Sequence, residues 1–340
     1  MRPIPLTRGR HLQSFVQVMD RLNARPRPLL DRHGVPDAAL VDPDAVLPAH
    51  QLRAFTADAA RQTGLVDLGL RAGRVGLGFH GRFGSRVNRS STLREALAVF
   101  CAEARKEHSL SGFRLAMVGR TGWFLRDRLD GTRGEALQVE LYVVQLMIET
   151  VRLAAGPDWL PAQIRLQSEE RPDLQRAEPL SRVNLCFGRP ATGIAIPPRL
   201  LVAPLAHWEA GGRGARPLPA TSEAPELPTD FVESLKQLLA TYLVEEPPRI
   251  EVVARAARCS VRTLQRRLQE SGLSFSRLIE EVRLSAAAEK LRQTGRKLVD
   301  IAFDAGYSDQ ANFTRAFRRW AGVPPSEFRR QSPQGPPAAA

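Results

Sequence analysis

The last hundred residues carry the same kind of short helix pair twice, and this repeat constrains the fold more than any other feature. In one copy Ile250, Val253, Ala254 and Ala257 fall at i, i+3, i+4 and i+7, and in the other Leu298, Ile301, Ala302 and Ala305 do the same. That spacing gathers four apolar side chains on one face of a short amphipathic helix. A few turn residues follow, Arg258-Cys259-Ser260 or Gly306-Tyr307-Ser308-Asp309, ending in a Ser or Asp placed to cap the next helix. The second helices keep Leu264 and Leu268, or Phe313, Ala316, Phe317 and Trp320, on a face expected to be buried, and turn basic and amide side chains outward. Two helices joined by a tight turn, the second presenting Arg, Gln and Thr, read as a helix-turn-helix with a recognition helix.

The second helices align at an offset of 49 and the first at 48, so the second turn is one residue longer. Leu264 falls on Phe313, Leu268 on Phe317 and Arg266 on Arg315. The exposed sets are Arg262, Thr263, Gln265 and Arg266 in the first copy, and Gln310, Ala311, Asn312, Thr314 and Arg315 in the second. Base edges call for such groups: Arg is bidentate to guanine, Asn or Gln to adenine, and a Thr or Ala methyl meets the thymine methyl. Arg296, Lys297, Arg318 and Arg319 suit phosphates, which position without specifying. Between the copies, residues 275–294 read as one helix with Phe275, Leu278, Ile279, Val282 and Ala286 on a single stripe, ended by Gly295. Twenty residues span roughly 30 Å, close to the roughly 34 Å between adjacent major grooves. One chain is thus expected to read two successive grooves.

Charge alone does not locate this activity. The 340-residue chain has a net charge of +13, which favours anionic partners. Yet residues 229–330 hold 18 Lys/Arg against 13 Asp/Glu, and residues 1–228 hold 31 against 23, so the excess is spread along the chain. The case rests on where the arginines sit. Cys101, Cys186 and Cys259 are far apart and form no C-x-x-C pair, which fits a reducing cytoplasm. No apolar run of about 18 residues exists and the N-terminus has no signal-peptide core, so no membrane partner is expected.

Gly and Pro between residues 210 and 228 break any regular pattern, so they read as a flexible linker. Residues 331–340 read as a disordered tail. The expected division is 1–209, an α+β regulatory domain; 210–228, linker; 229–330, an all-α domain with two helix-turn-helix motifs joined by a long helix; and the tail. Before the linker, residues 11–22 are helix-like, Thr92-Leu93-Arg94-Glu95 starts a helix as a capping box, and residues 135–154 form a long apolar-rich helix ended by Gly156-Pro157. Phe113, Leu115 and Met117 alternate as a strand that residues 122–129 can pair with, and Ile164/Leu166, Leu185/Phe187 and Ile194/Ile196 suggest further strands. The stripe Leu137, Leu141, Val144, Ile148 and Val151 reads as core. Trp123, Leu141, Tyr142 and Met147 are the candidates for lining a ligand cavity.

Catalytic readings fare poorly. Gly76-Leu77-Gly78-Phe79-His80-Gly81 matches G-x-G-x-x-G, but Gly84 and Asn88 follow where a nucleotide site needs a helix, so a glycine-rich turn is the better account. The six histidines show no metal-binding spacing, no G-x-S-x-G elbow occurs, and Glu169-Glu170 reads as a solvated pair. No enzyme, metal or cofactor is expected. A DNA-repair enzyme with a borrowed DNA-binding module would need a reactive cysteine and a zinc cluster, and an architectural DNA protein has little use for a separate 200-residue domain.

Residues 229–330 resemble the DNA-binding domain of AraC/XylS-type bacterial transcription regulators. The carrying stretches are Val253-Ala254-Arg255-Ala256-Ala257, Ser260 to Leu268, Ser274-Phe275, Arg283-Leu284, Asp300 to Asp309, Asn312 to Trp320 and Gly322 to Arg329. Residues 1–210 are similar, more weakly, to the arabinose-binding-type ligand domain of one subclass, through Gly69-Leu70-Arg71, Gly76-Leu77-Gly78, Thr92 to Leu97 and Trp159-Leu160-Pro161-Ala162. The resemblance implies a sequence-specific regulator, usually an activator that also touches RNA polymerase. It further implies promoter DNA and a small-molecule effector as partners, and a surface suited to a homodimer.

Overall fold

The computed structural model describes residues 2–74, 81–109, 112–127, 136–177, 180–205, 226–243, 247–293 and 295–331. The chain divides into two compact units, one running from Pro3 to Thr229 and the other from Asp230 onward. Most of the expected linker and nearly all of the expected tail lie outside the described residues, as does the glycine-rich match up to Gly81.

The first unit is α+β. Its described elements, in chain order, are β1 (Leu6–Arg8), α1 (Gly9–Arg21), α2 (Arg27–His33), α3 (Ala38–Val41), β2 (Val46–Pro48), α4 (Ala49–Thr63), α5 (Leu68–Gly73), α6 (Gly81–Asn88) and α7 (Leu93–Glu107). There follow β3 (Phe113–Val118), β4 (Thr121–Arg126), α8 (Leu137–Ala155), β5 (Gln163–Arg165), α9 (Pro172–Gln175), β6 (Asn184–Cys186), β7 (Thr192–Ile196) and α10 (Pro198–Leu201). The main sheet has the order β3-β4-β7-β5-β6, antiparallel except for the β5–β6 pair. A separate two-stranded sheet joins β1 to β2. The β3–β4 hairpin turns at Gly119, whose φ of +60° is left-handed.

The α8 helix is the spine of this unit. Fourteen of its 19 residues are buried, as expected of a helix apolar on nearly every side. Two of its buried polar side chains tie it to its neighbours. Gln138 donates from Nε2 to the Val66 carbonyl (2.9 Å) and accepts from the Gly69 N–H (2.8 Å). Glu140 accepts from Thr192 Oγ1, Ser168 Oγ and the N–H groups of Gln167 (2.7 Å) and Ser168 (3.2 Å), tying helix to sheet. Such pairing is what lets a carboxylate sit fully inside a core. The α5 helix lies against α8 through two glycines. A Cβ on Gly69 would strike the Gln138 carbonyl oxygen and come within 2.9 Å of the Tyr142 nitrogen; one on Gly73 would come within 2.6 Å of Gln145 Cβ.

The expected cap at Thr92 forms, with its return bond moved by one residue. Thr92 Oγ1 accepts from the Glu95 N–H (3.4 Å), but Glu95 reaches back to the N–H of Ser91 (2.7 Å). The short β1, β2, α3 and α9 elements have too few residues to carry a periodic signal.

The second unit is all helical: α11 (Phe231–Tyr242), α12 (Ile250–Ala256), α13 (Val261–Glu270), α14 (Phe275–Gln293), α15 (Leu298–Asp304), α16 (Gln310–Ala321) and α17 (Pro325–Gln331). The single apolar stripe expected on α14 is corrected. Leu278 and Val282 are buried, but Ala286 is exposed, and burial resumes at Leu284, Ala287, Ala288 and Leu291. At about 100° per residue the two buried sets lie roughly half a turn apart. The later set shares a core with Ile301 and Ala302 of α15, the Ala305 that follows it, and Phe313, Ala316 and Phe317 of α16. The earlier set belongs to the half of the helix that α11 packs on, where Lys236 reaches Glu281 at 3.3 Å. The α11 helix and the second motif thus use different sides of one helix.

Adding one methyl group to Gly69 should force α5 off α8. Gly69→Ala is expected to destabilise the chain by about 1–3 kcal/mol through overpacking, read as a lower urea midpoint with an unchanged slope.

Candidate nucleic-acid interface and effector cavity

The two helix pairs of the second unit are built alike. The α12 and α15 helices are seven residues each and close identically. The N–H of Cys259 donates to the Ala254 carbonyl (2.9 Å) and that of Arg258 to Arg255 (3.0 Å). In the other copy Tyr307 donates to Ala302 (3.0 Å) and Gly306 to Phe303 (2.8 Å). This Schellman pair needs a left-handed residue just past the helix end. Gly306 provides it at φ +79°, whereas the first copy holds Arg258 at φ +51°. Gly306 has a second reason to lack a Cβ, which would lie 3.1–3.3 Å from the Arg283 guanidinium.

Each following helix is capped as its sequence requires. Ser260 Oγ accepts from the Thr263 N–H (3.1 Å), and Asp309 Oδ1 from the Asn312 N–H (2.7 Å). Leu264 and Leu268 are buried in α13, and Phe313, Ala316 and Phe317 in α16. Trp320, expected to be buried, is 40% exposed. It lies in the last turn of α16, edge-on to Phe317 (5.6 Å), at the rim of a core that Phe328 of α17 closes from the other direction.

On the outer faces Arg262, Gln265 and Arg266 are exposed in α13, as are Gln310, Ala311, Asn312 and Arg315 in α16. Thr263 is half-buried with its hydroxyl 2.9 Å from Ser260 Oγ. Thr314, also half-buried, donates its hydroxyl to the Gln310 carbonyl (2.8 Å). Asn312 Nδ2 donates to Asp309 and Asn312 Oδ1 accepts from Arg315, so Asp309, Asn312 and Arg315 form one hydrogen-bonded row. Arg266 lies 3.7 Å from Glu270 in the next turn. Among the four residues expected at phosphates, Arg318 and Lys297 are exposed. Arg296 pairs with Asp304 (2.7 Å) and Arg319 with Glu280 of α14 (2.8 Å). Lys290 and Arg296 donate to Asp304, and these hydrogen bonds hold its carboxyl below the usual range.

The first unit encloses a cavity of about 60 Å³ lined from β1, α1, α4, α6, α7, β3, β4 and α8. Phe83, Phe100, Phe113, Val139, Val143 and Leu146 supply apolar walls; Arg53, Arg126, Glu107, His11, His108 and Tyr142 supply polar ones. Of the cavity candidates named from sequence, Tyr142 lines it and Trp123, Leu141 and Met147 do not. The reason is phase. Side chains alternate along β4, so Phe124 and Arg126 share a face and Trp123 with Leu125 takes the other, where Arg165 stacks at 3.6 Å from the Trp123 ring. On α8, Val139, Tyr142, Val143 and Leu146 form the cavity face at i, i+3, i+4 and i+7, and Leu141 and Met147 belong to the surrounding core. Sequence reasoning passed over Arg126 and His108. The alternation that places Phe124 inward also places Arg126 inward, and that was the available signal.

Among the described residues no cluster of His, Cys, Asp or Glu could hold a metal ion, and no helix is long and apolar enough to cross a membrane.

A family model described as the N-terminal arabinose-binding domain of AraC transcription regulator matches residues 24–205, more than half the chain. The chain belongs to the AraC family of transcription regulators. A helix-turn-helix domain model matches residues 253–331 of this AraC-family protein. The HTH-type transcriptional regulator VirS of Mycobacterium tuberculosis is 29% identical over 336 residues, 95% of this chain and 96% of VirS. Regulatory protein SoxS of Salmonella typhimurium is 38% identical over 87 residues, 25% of this chain and 81% of SoxS. The crystal structure of transcriptional regulator CdpR from Pseudomonas aeruginosa aligns over 94% of this chain and 98% of its own, with 20% identity and a TM-score of 0.44. The AraC-family regulator is a DNA-binding protein of transcription, not an enzyme.

Two outcomes follow from the motif geometry. Arg258→Gly should stabilise the helical unit by roughly 0.5–1 kcal/mol, because relief of the left-handed strain exceeds the added chain entropy; a denaturation midpoint reads this. The Asp309 carboxyl is held below its ordinary value of 3.8, first by the Asn312 N–H. A depressed folded value means that its contribution is complete above the unfolded value and is lost as pH falls through the folded one. The melting-temperature gap between the native chain and Asp309→Ala should therefore be open at neutral pH and close in acid.

Proposed function

We propose that this regulator is a sequence-specific activator that reads two successive major grooves of promoter DNA and responds to a small-molecule effector. In this reading α13 enters one groove with Arg262, Thr263, Gln265 and Arg266, and α16 enters the next with Gln310, Asn312, Thr314 and Arg315. Arg296, Lys297, Arg318 and Arg319 hold phosphates. Residues 1–209 are the effector-binding domain, 210–228 the linker, 229–330 the DNA-binding domain and 331–340 a tail. The protein works in the cytoplasm as a homodimer, and activation proceeds through contact with RNA polymerase.

The observation that carries this reading is the paired construction. Two capped helices, each with an exposed Arg at the aligned position, stand in one unit with a single 19-residue helix between the motifs. Nineteen residues span roughly 28 Å, which suits neighbouring grooves about 34 Å apart. The hydrogen-bonded row through Asp309 and Asn312 supports Arg315 in particular, since a guanidinium already oriented loses less freedom on meeting a guanine. Effector control requires the ligand to favour one of two states of the protein.

Arg266→Ala and Arg315→Ala should each cost about 1–3 kcal/mol on the specific site, with relaxed selectivity at the base pairs they meet. Fluorescence anisotropy on promoter and random duplexes measures this; equal losses on both would assign the two arginines to phosphates. Arg319→Ala should weaken both duplexes alike and lower the salt slope by about one unit.

A further inference from the structure

The outer side of α16 carries a continuous polar row. Asn312, Arg315 and Arg319 fall at i, i+3 and i+7, so they share one side of the helix. Asp309 stands at the start of the row and caps the helix through the Asn312 N–H. At the far end a carboxylate arrives from another element: Glu280 of α14 accepts from Arg319 Nη2 at 2.8 Å. The two acids differ in what holds them. Asp309 is engaged by the helix start, whereas Arg319 is the one cation within ion-pair distance of Glu280 among the described residues. The side chains of Arg319 and Glu280 are 74% and 38% exposed, so the bond is open to exchange with an outside oxyanion. Burial, and next the Glu280 charge, raise the Tyr307 phenol above its ordinary value, while Arg283 and Arg319 pull it down. Glu280 is thus the one acid among the charged groups that act on Tyr307, beside the turn into α16. The first motif reaches a similar balance by other means. At the offset of 49 Arg319 falls on Glu270, which lies 3.7 Å from Arg266. Each recognition helix therefore ends with an acid beside its arginines.

We propose that Glu280 is a brake on DNA affinity: its carboxylate occupies the place on Arg319 that a DNA phosphate takes, and binding exchanges one oxyanion for the other. The inference rests on the phosphate role proposed above for Arg319. A guanidinium meets carboxylate and phosphate through the same planar set of N–H donors, so one ligand excludes the other. An exposed ion pair is weak enough to allow the exchange and strong enough to register in affinity. The cost falls on every duplex, whatever its sequence, because phosphates carry no sequence information. Glu280 therefore sets absolute affinity and leaves selectivity to the side chains that meet bases. A chain with a net charge of +13 has use for such a brake, since each neutralised phosphate strengthens its hold on bulk DNA.

The test uses the full-length chain and fluorescence anisotropy on a random-sequence duplex and a promoter duplex, each across a salt series. Glu280→Gln keeps the shape of the side chain and removes its charge. It should tighten both duplexes alike by roughly two- to fivefold, the worth of one exposed ion pair. In an Arg319→Ala background the same change should have no effect, since the two residues act as a pair. Glu281→Gln is the charge control. This next residue pairs instead with Lys236 of α11 (3.3 Å) and Arg277 (3.4 Å), so its loss should tighten DNA clearly less than Glu280→Gln does. The salt slope should be the same in the native and Glu280→Gln chains, because both complexes meet the same phosphates. The proposal is overturned if Glu280→Gln leaves affinity unchanged, if its gain persists without Arg319, or if Glu281→Gln gives an equal gain, which would reduce the effect to net charge. A slope steeper by about one unit in Glu280→Gln overturns it as well, because Arg319 would then stay on Glu280 in the native complex. Arg319→Ala by itself separates this inference from the reading beneath it. If that variant weakens neither duplex, Arg319 meets no phosphate and the earlier assignment fails first. If it weakens both while Glu280→Gln changes nothing, the phosphate contact stands and the brake falls.

Discussion

The α14 helix sets the terms for the DNA-binding unit. One helix of 19 residues buries Leu278 and Val282 on one side and Leu284, Ala287, Ala288 and Leu291 on nearly the opposite side. The helix thereby holds α11 on one side and the core of the second helix pair on the other, in a defined rotational phase. Neither helix pair is large enough to bury much apolar surface alone, and short helices gain most of their stability from packing. The rod supplies the missing wall to the α15–α16 pair. Its rotation therefore governs the orientation of the α16 outer face, because a helix bends far less readily than a loop.

The first unit has a comparable dependency in α8. Glycines at 69 and 73 let α5 approach closely, Glu140 fastens the helix to the sheet, and the face carrying Val139, Tyr142, Val143 and Leu146 is left to the cavity. The hydrogen bonds of Gln138 to the Val66 carbonyl and Gly69 N–H fix the same contact by polar means. Packing and polar satisfaction thus agree on one position for the helix, which is what gives a buried site a definite shape.

Much of this architecture is legible in the amino-acid order, and the losses have physical causes. The paired helices, their caps at Ser260 and Asp309, the β3–β4 hairpin and the long α8 follow from periodicity and cap chemistry, which are local. Phase across a contact is not local. The α14 stripe splits because two partners share the helix, and no window of apolar residues states how many partners a helix has. Trp123 drew attention by its size, yet the parity of β4 points it away from the cavity and brings Arg126 in. Trp320 continues the apolar spacing of α16 but outruns the core that would cover it. Arg258 hides a left-handed turn because the residue that usually marks one is glycine, present only in the second copy.

The two helix pairs are alike in frame and unlike in what they offer. One presents Arg262, Gln265 and Arg266 after a four-residue bend, the other Asn312 and Arg315 after a bend one residue longer. On a duplex read by both pairs, as proposed, such a molecule would have a head and a tail. Reversing it there would exchange every side chain proposed to meet a base. Polarity of that kind would distinguish upstream from downstream, and its source is the unlikeness of the two pairs within one chain.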